Sequence, residues 1–152
     1  MQKITPFLWF DNQAEEAANF YVSLFKNSQV ESVSRGPDGN AFIVTFQLDE
    51  QPFMALNGGP QFKFNEAISM FANCETQQEV DELWEKLTAD GGEESRCGWL
   101  KDKYGLSWQI IPTALGKLMG APDPIKANRV RQAMLQMRKI EIQALEDAYA
   151  ER

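Results

Sequence analysis

The side chains that most often perform chemistry are scarce in this sequence. Its 152 residues include no histidine, so neither imidazole acid–base catalysis nor an imidazole metal ligand is available. The two cysteines, Cys74 and Cys97, lack the paired spacing that holds zinc, and a nucleophilic cysteine usually needs a neighbouring base. We interpret both as buried or half-buried thiols in a reducing compartment, which we favour over a disulfide or a catalytic thiol.

The acidic residues do not indicate an acid–base pair. Glu66, Glu93 and Glu94 lie at the ends of predicted strands, where carboxylates are usually solvated, and no pattern places two of them across a cavity. The glycine pairs at 58–59 and 91–92 lack the strand-to-helix context of a nucleotide-binding turn. The residues taken singly therefore identify no catalytic centre and predict no cofactor.

Composition bounds the class of protein. With 43% hydrophobic residues, the chain can bury a full core as one domain or as two small halves. A net charge of −7 would repel a phosphate backbone, and no stretch approaches the roughly twenty apolar residues of a membrane span. No leader pattern precedes the first predicted strand. We expect a cytoplasmic protein without nucleic-acid or membrane partners.

The elements that must position any site form a first unit of β-α-β-β-β type. Residues 4–10 are apolar and predict a buried strand, and Asn12 followed by Glu15 is typical of a helix start. Residues 41–48 alternate with period two and predict a strand. Further strands are predicted at residues 29–34 and 53–57.

The same pattern restarts after residue 60. Residues 67–74 predict a strand, and Thr76 followed by Glu79 repeats the helix start. Strands at residues 93–100 and 105–112 complete a β-α-β-β unit, in which one strand could be split. We place the units at residues 1–60 and 61–115 of one compact domain, followed by a helical extension at 116–152.

The C-terminal segment has a different pattern. Residues 126–150 predict one long helix, and its apolar stripe must be buried, either on the core of its own domain or on a second subunit. Residues 126–139 include five basic residues and no acidic one, which we interpret as a solvated face or a set of salt-bridge partners. The stripe consists of Val130, Met134, Met137, Ile140, Ala144 and Ala148.

Four stretches of the sequence resemble one protein family. Residues 4–25, 64–84, 102–115 and 131–152 are similar to the PhnB-like branch of the vicinal-oxygen-chelate superfamily, which is also called the glyoxalase and bleomycin resistance superfamily. That branch is often labelled demethylubiquinone methyltransferase-like. The resemblance implies an α+β fold in which tandem βαβββ modules form a curved, cup-like mixed sheet, with a C-terminal helical extension.

In metal-dependent members of that superfamily, His and carboxylate ligands face into the cup. The resemblance places Gln109 where a ligand Glu would lie. Because a neutral amide is a weak ligand and no charged donor remains, we expect no catalytic metal and no glyoxalase or dioxygenase chemistry. The other corresponding positions are Thr5 or Pro6, Ala55 or Asn57, and Ile68 or Ser69.

The resemblance therefore predicts a metal-free cup that binds a small, partly apolar molecule, in a homodimer. Gln109 lies between Trp108 and Ile110, so its amide must be satisfied internally or aimed at a ligand. Trp99 and Trp108 are expected at the rim, although aromatic residues could instead fill the core. The predicted pocket residues are Thr5, Phe7, Trp9, Asn57, Ser69, Phe71 and Gln109.

Two alternatives belong to other classes. One is an enzyme, either a cofactor-free acid–base catalyst or the transferase that the family label names. The other is a dimerisation scaffold in which the paired modules bind no ligand. A cavity that holds a ligand would favour the binding protein, whereas a cavity filled by its own side chains would favour the scaffold.

Overall fold

The two predicted strand–helix units each form a four-stranded mixed sheet. The computed structural model describes residues 2–151, and the chain divides into two units between Phe64 and Asn65. The α+β class, the tandem βαβββ modules and the C-terminal helical segment are confirmed. Within residues 2–151 the strands pair only inside their own unit, so they form two open sheets and not one continuous sheet.

The first unit places one helix on one face of its sheet. Strand β1 lies parallel to β4, the other pairs are antiparallel, and the strand order is β1-β4-β3-β2. Tyr21 of the helix packs near Phe46 of β3, with 6.5 Å between the ring centroids. The elements are β1 (Phe7–Phe10), α1 (Ala14–Val22), β2 (Gln29–Arg35), β3 (Ala41–Leu48) and β4 (Gln51–Asn57).

The second unit repeats this topology, with strand order β5-β8-β7-β6 and β5 parallel to β8. The strand predicted at residues 93–100 is split in two, because Cys97 and Gly98 have positive φ angles of 56° and 85° that interrupt the strand. The elements are β5 (Ser69–Cys74), α2 (Gln77–Thr88), β6 (Glu93–Glu94), β7 (Trp99–Lys101) and β8 (Ser107–Pro112).

The helix start predicted in the second unit is confirmed. Thr76 Oγ1 accepts a hydrogen bond from the Glu79 backbone N–H at 3.2 Å. The Glu79 carboxylate in turn accepts from the backbone N–H of Glu75 at 3.3 Å. Two N–H groups that the helix leaves unpaired are thus satisfied by local side chains.

The helix start predicted in the first unit is wrong in its detail. Helix α1 begins one residue later than a cap at Asn12 requires, and its N-cap residue, Gln13, makes no side-chain capping bond. The Ala14 backbone N–H donates instead to Asn57 Oδ1 at 2.8 Å, from the end of β4. A tertiary contact therefore replaces the local capping box.

The single helix predicted at residues 126–150 is also wrong, since this stretch forms two helices and a third helix precedes it. Residues after Gln136 leave the helix, and their carbonyls accept bonds from the bend between β6 and β7: Cys97 N–H to Met137 O at 2.9 Å and Gly98 N–H to Arg138 O at 2.8 Å. The helices are α3 (Thr113–Met119), α4 (Pro124–Leu135) and α5 (Ile142–Ala150).

The helical segment packs against its own unit. Gln77 of α2 accepts from the Ile142 N–H at 2.7 Å and donates to Ile140 O at 3.0 Å, which fixes the link between α4 and α5. Of the predicted stripe, Ala144 is exposed and Leu145 is buried in its place, because α5 starts a new helical register. The helical segment and the end of β8 share one buried hydrophobic cluster, which consists of Ile111, Leu115, Val130, Ile140 and Leu145.

Four of the five basic residues of the segment, Lys126, Arg129, Arg138 and Lys139, have partners in the same unit. Arg129 donates to the carbonyls of Ala148 and Tyr149 at the end of α5, and Lys139 pairs with Asp81 at 2.8 Å. This agrees with the interpretation as salt-bridge partners. None of the helices within residues 2–151 has the length and apolar character needed to cross a bilayer.

Candidate functional site

The face of each sheet that is opposite its helix, here called the open face, holds most of the predicted pocket residues. In the second unit, Gln109 of β8 lies between Phe71 of β5 and Trp99 of β7. Residues in register on adjacent strands point to the same side of a sheet. Ser69 lies two residues before Phe71 on β5 and therefore shares this face.

The Gln109 amide makes a hydrogen bond on this open face. Its Nε2 donates to Ser69 Oγ at 3.0 Å. The neighbouring Phe71 side chain is 55% exposed. The open face thus combines neutral hydrogen-bonding groups with exposed apolar surface, which is suited to a small, partly apolar molecule.

A buried carboxylate orients the strand that carries Gln109. Asp102 is 2% exposed, and its Oδ1 accepts from the Tyr104 and Leu106 backbone N–H groups at 2.9 and 3.0 Å. Its Oδ2 accepts from Trp108 Nε1 at 2.9 Å. The Trp108 ring is therefore held on the helix side of the sheet, and Gln109 necessarily points to the open face.

This arrangement corrects the prediction that Trp108 closes a rim. Its side chain is 2% exposed and fills the core under the sheet. Trp99, by contrast, is half-buried and shares the open face with Gln109. Adjacent residues of one strand point to opposite faces, so Trp108 and Gln109 are never on the same side.

In the first unit the open face carries Phe7 and Trp9. Phe7 is 48% exposed, and the Trp9 indole N–H donates to Gly59 O at 2.9 Å, while its ring meets Phe62 edge-on at 4.9 Å. A Cβ at Gly58 would lie 2.4 Å from the Trp9 ring. The glycine pair at 58–59 therefore leaves room for the Trp9 ring and accepts its hydrogen bond, and it is not a cofactor-binding loop.

Asn57, also predicted in the pocket, lies on the other face of that sheet. It is in register with Phe10, which is buried on the helix side. Its Oδ1 accepts from Ala14 N–H at 2.8 Å and its Nδ2 donates to Ala41 O at 3.0 Å. This amide is occupied by structural bonds and does not share a face with Trp9.

Thr5 is half-buried on the segment before β1. The neighbouring Pro6 carbonyl accepts a bond from the Met54 N–H at 3.0 Å, which extends the pairing of β1 with β4 beyond its first residue. Each unit therefore brings together only some of the predicted pocket residues on its open face. These are Phe7 and Trp9 in the first unit, and Ser69, Phe71 and Gln109 in the second.

The first unit also has a polar cleft, and Asn57 is the one predicted pocket residue that lines it. Its volume is about 910 Å³, and it is bordered by the start of α1 and the turn between β2 and β3. Arg35 lines the cleft, forms a bidentate pair with Glu15, at 2.8 and 3.2 Å, and also donates to Gly39 O. The Asp38 carboxylate accepts two bonds from Asn40. Arg35 and Glu15 are thus paired with each other, and the Asp38 carboxylate is satisfied within its own turn.

The donor set does not fit a metal ion. Within residues 2–151, no three His, Cys, Asp or Glu side chains come together in a group that could hold one. At the positions that correspond to ligands, Ser69 and Gln109 bind each other and Asn57 caps a helix. Neutral hydroxyl and amide oxygens hold transition metals poorly.

The thiols do not form a reactive centre. Both cysteines are free, and Cys74 is fully buried. Burial in the core and, to a smaller extent, the nearby carboxylates of Glu79 and Glu75 together raise the pKa of the Cys74 thiol to about 12. A thiol that stays protonated at neutral pH is a poor nucleophile.

Sequence reasoning missed two residues of the open face, Lys101 and Ser107. They are in register with each other and with Ser69, so all three lie in one row across β7, β8 and β5. Ser107 lies two residues before Gln109, and the period of a strand could have placed both on one face. Lys101 depends on the register of the β7–β8 hairpin, for which the sequence gives no direct signal.

Comparison with known proteins agrees with this architecture. The sequence model described as 3-demethylubiquinone-9 3-methyltransferase matches residues 2–111. A PhnB protein from Bacillus cereus, described by the same enzyme name, is 39% identical and has a TM-score of 0.69, with 73% of this chain and 99% of that chain covered. No curated protein shows significant similarity to the sequence.

Two more distant structures share the fold alone. Protein PA1353 from Pseudomonas aeruginosa is 17% identical with a TM-score of 0.60, over 74% of this chain and 98% of its own. The fosfomycin resistance protein FosX from Listeria monocytogenes, which was solved with Mn(II) and sulfate, is 16% identical with a TM-score of 0.50, over 71% and 90%.

The family match ends at residue 111, so helices α3 to α5 lie outside it. The match covers both sheets almost completely, and the Bacillus cereus relative is spanned over nearly its whole length. The chain therefore belongs to the PhnB-like 3-demethylubiquinone-9 3-methyltransferase family.

Proposed function

We propose that this protein binds a small, partly apolar molecule on the open face of the second sheet, without a metal ion, and that it acts as a homodimer. One observation carries the proposal: the Gln109–Ser69 hydrogen bond lies beside the exposed Phe71 ring. Polar groups with fixed orientation next to apolar surface are the usual elements of a small-molecule site.

The Gln109 amide has hydrogen-bonding capacity to offer a ligand. A glutamine amide supplies two N–H donors and an oxygen with two lone pairs. Within residues 2–151, only the N–H donated to Ser69 has a hydrogen-bond partner. The bond to Ser69 fixes the orientation of the amide, so a ligand would meet a pre-organised donor and acceptor.

Phe71 supports the apolar part of the proposal. A ligand that covers its exposed ring would gain on the order of 1 kcal/mol from burial of that surface. Trp99, in register with Gln109 on the opposite side from Phe71, offers a second aromatic surface. A planar or partly apolar molecule therefore has aromatic neighbours on both sides of the amide.

The transferase named by the family label has no comparable support in this chain. A nucleotide-like cofactor is usually held by a glycine-rich turn from a strand into a helix. Gly58 instead packs against the Trp9 ring, which leaves no space for a side chain, and Gly91 and Gly92 follow the end of α2. We therefore propose binding as the function, with no catalytic residue.

The homodimer is supported by apolar side chains that the first unit leaves uncovered. Ile4 is 82% exposed, Phe62 63% and Phe7 48%. Large exposed apolar groups that lie near one another mark interaction surfaces. Light scattering after size exclusion tests this part: we expect a dimer for the full chain and a shift toward monomer for Phe7→Glu.

Ligand-observed ¹⁹F NMR with 4-fluorobenzamide tests the binding site. This neutral probe offers a ring for Phe71 and an amide for Gln109, and we expect Phe71→Ala and Gln109→Leu each to weaken its binding about threefold to tenfold. Phe42→Ala, which removes an exposed ring in the first unit, serves as the matched control and should have no effect.

Equal effects of Phe71→Ala and Phe42→Ala on probe binding would contradict the proposed site.

Elemental analysis tests the metal-free part separately, on protein purified without chelator or histidine tag. We expect no transition metal in stoichiometric amount. A metal present at about one per chain would overturn that part of the proposal.

A further inference from the structure

Ser107 is a buried hydroxyl without a partner on the proposed binding face. Its side chain is 1% exposed, and among the described residues it is the one buried side-chain oxygen or nitrogen that lacks a hydrogen bond. A buried polar group without a partner is costly, and native proteins retain few of them. Its position therefore calls for an explanation beyond folding.

An ion pair lies next to this hydroxyl. Lys101 of β7 pairs with Glu66, three residues before β5. Strand β8 lies between β7 and β5, and Ser107 begins β8 in register with both Lys101 and Ser69. The ion pair therefore joins β7 to the segment before β5, on the two sides of β8, and its Lys101 end is in register with Ser107.

We propose that the Lys101–Glu66 ion pair is a displaceable cover over an oxyanion subsite formed by Lys101, Ser107 and Ser69, and that the ligand is a small apolar acid. The proposal deepens the proposed function, on which it rests, by naming the chemical class of the ligand. The carboxylate or other oxyanion of the ligand takes the place of the Glu66 carboxylate.

The three side chains are all donors once the pair opens. Ser69 Oγ already accepts from Gln109 Nε2, so its own O–H is left to donate outward. The Ser107 O–H has no acceptor within residues 2–151, and Lys101 contributes an ammonium. Three donors in one row, on adjacent strands about 4.8 Å apart, are complementary to an oxyanion.

The cover is weak enough to be displaced. The side chains of Lys101 and Glu66 are 40% and 59% exposed, and exposed ion pairs contribute little to stability because water screens them. Glu93 lies on the side of Lys101 that faces away from β8, in register on β6, and it stays in place when Glu66 leaves. Displacement exchanges one carboxylate for another at Lys101.

The rest of the ligand lies along the same face toward Phe71. Phe71 and Gln109 are two residues further along β5 and β8 than Ser69 and Ser107. Side chains two residues apart on a strand are about 7 Å apart on one face. A single aromatic ring bridges that distance, so a ring with one acidic substituent fits the row of donors and the aromatic surface together.

The test compares 4-fluorobenzoate with 4-fluorobenzamide on the full chain, by ¹⁹F NMR at probe concentrations up to about 10 mM. The proposal predicts that the benzoate binds at least about tenfold more tightly than the amide, because a hydrogen bond to a charged group is stronger than one to a neutral group. Binding of the amide without preference for the benzoate would overturn this inference and leave the proposed function standing.

Two substitutions at the ion pair should act in opposite directions. Glu66→Gln frees Lys101 and should tighten benzoate binding severalfold, whereas Lys101→Met should weaken it about tenfold or more. Lys86→Met, on the exposed last turn of α2, makes the same charge change away from the site and should have little effect. Loss of binding in both ion-pair variants, or no change in either, would contradict a displaceable cover.

Ser107→Ala separates a binding role from a structural one. Because its hydroxyl has no partner in the folded protein, its removal should leave the melting temperature unchanged or slightly higher. Benzoate binding should nevertheless weaken about threefold or more. Unchanged benzoate affinity in Ser107→Ala, or no benzoate binding to the unmodified protein, would refute the subsite.

Discussion

In the first unit the amide at the end of β4, Asn57, is occupied by bonds to two backbone groups, whereas in the second unit Gln109 of β8 makes one bond, to the Ser69 side chain. The two strands occupy the same place in their sheets, next to the first strand of the unit. The two modules therefore repeat their topology but not their chemistry.

The same contrast appears at the helix starts. Helix α2 is capped by Thr76 from its own sequence, so its unit has no need of a side chain from β8 for that purpose. Helix α1 makes no such local bond and takes its cap from Asn57. Gln109 lies on the open face, opposite α2, so its amide takes no part in capping that helix.

The largest effect is expected where the second unit differs most from the first, in its added helical core. Leu145 is fully buried in that core, and Leu145→Ala should lower the free energy of unfolding by about 2–5 kcal/mol. Leu135→Ala, at a position 42% exposed on α4, is the matched control and should cost less than about 1 kcal/mol. Urea unfolding measures both.

If Leu145→Ala were no more damaging than Leu135→Ala, the segment would not be part of the core of its unit. Its apolar stripe would then be assigned to a contact with a second subunit. The stability of the unmodified protein would in that case depend on protein concentration.

An intermediate effect is expected from exchanging the two amides for leucine. Asn57→Leu leaves the Ala14 N–H and the Ala41 carbonyl unpaired and should cost about 1–3 kcal/mol of stability. Gln109→Leu breaks only the bond to Ser69 and should cost less than about 1 kcal/mol. Thermal unfolding of the two variants side by side gives the comparison, and equal losses would show that the amides have equivalent roles.

The smallest effect is expected at the helix caps. Thr76→Ala removes a side-chain cap and should cost about 1 kcal/mol. Asn12→Ala, at the position that looks equivalent in sequence, should be nearly neutral because no capping bond depends on it. Chemical denaturation resolves the difference, and a larger loss for Asn12→Ala would restore the local cap in the first unit.

Much of the fold could be predicted because it depends on local patterns. The alternation in β3 and the Thr76–Glu79 pair are readable from neighbouring residues. The break after Gln136 could not be predicted, because it depends on backbone bonds from Cys97 and Gly98 some forty residues away. Helix periodicity alone carries no information about such distant partners.

The candidate site was predictable in part for a related reason. The sequence pattern placed Phe71 and Gln109 on strands, and family resemblance placed them near a ligand. Which face each residue occupies depends on register, so Asn57 was grouped with Trp9 although it lies on the opposite face. The row of Ser69, Ser107 and Lys101 required the pairing of three strands.

A crystal structure of the full chain soaked with 4-fluorobenzamide tests the central claim most directly. The account predicts the ring of the probe against Phe71 on the open face of the second sheet, its amide within hydrogen-bonding distance of Gln109, and no metal ion between them. A probe seated elsewhere, or a cation held at Gln109, would contradict it.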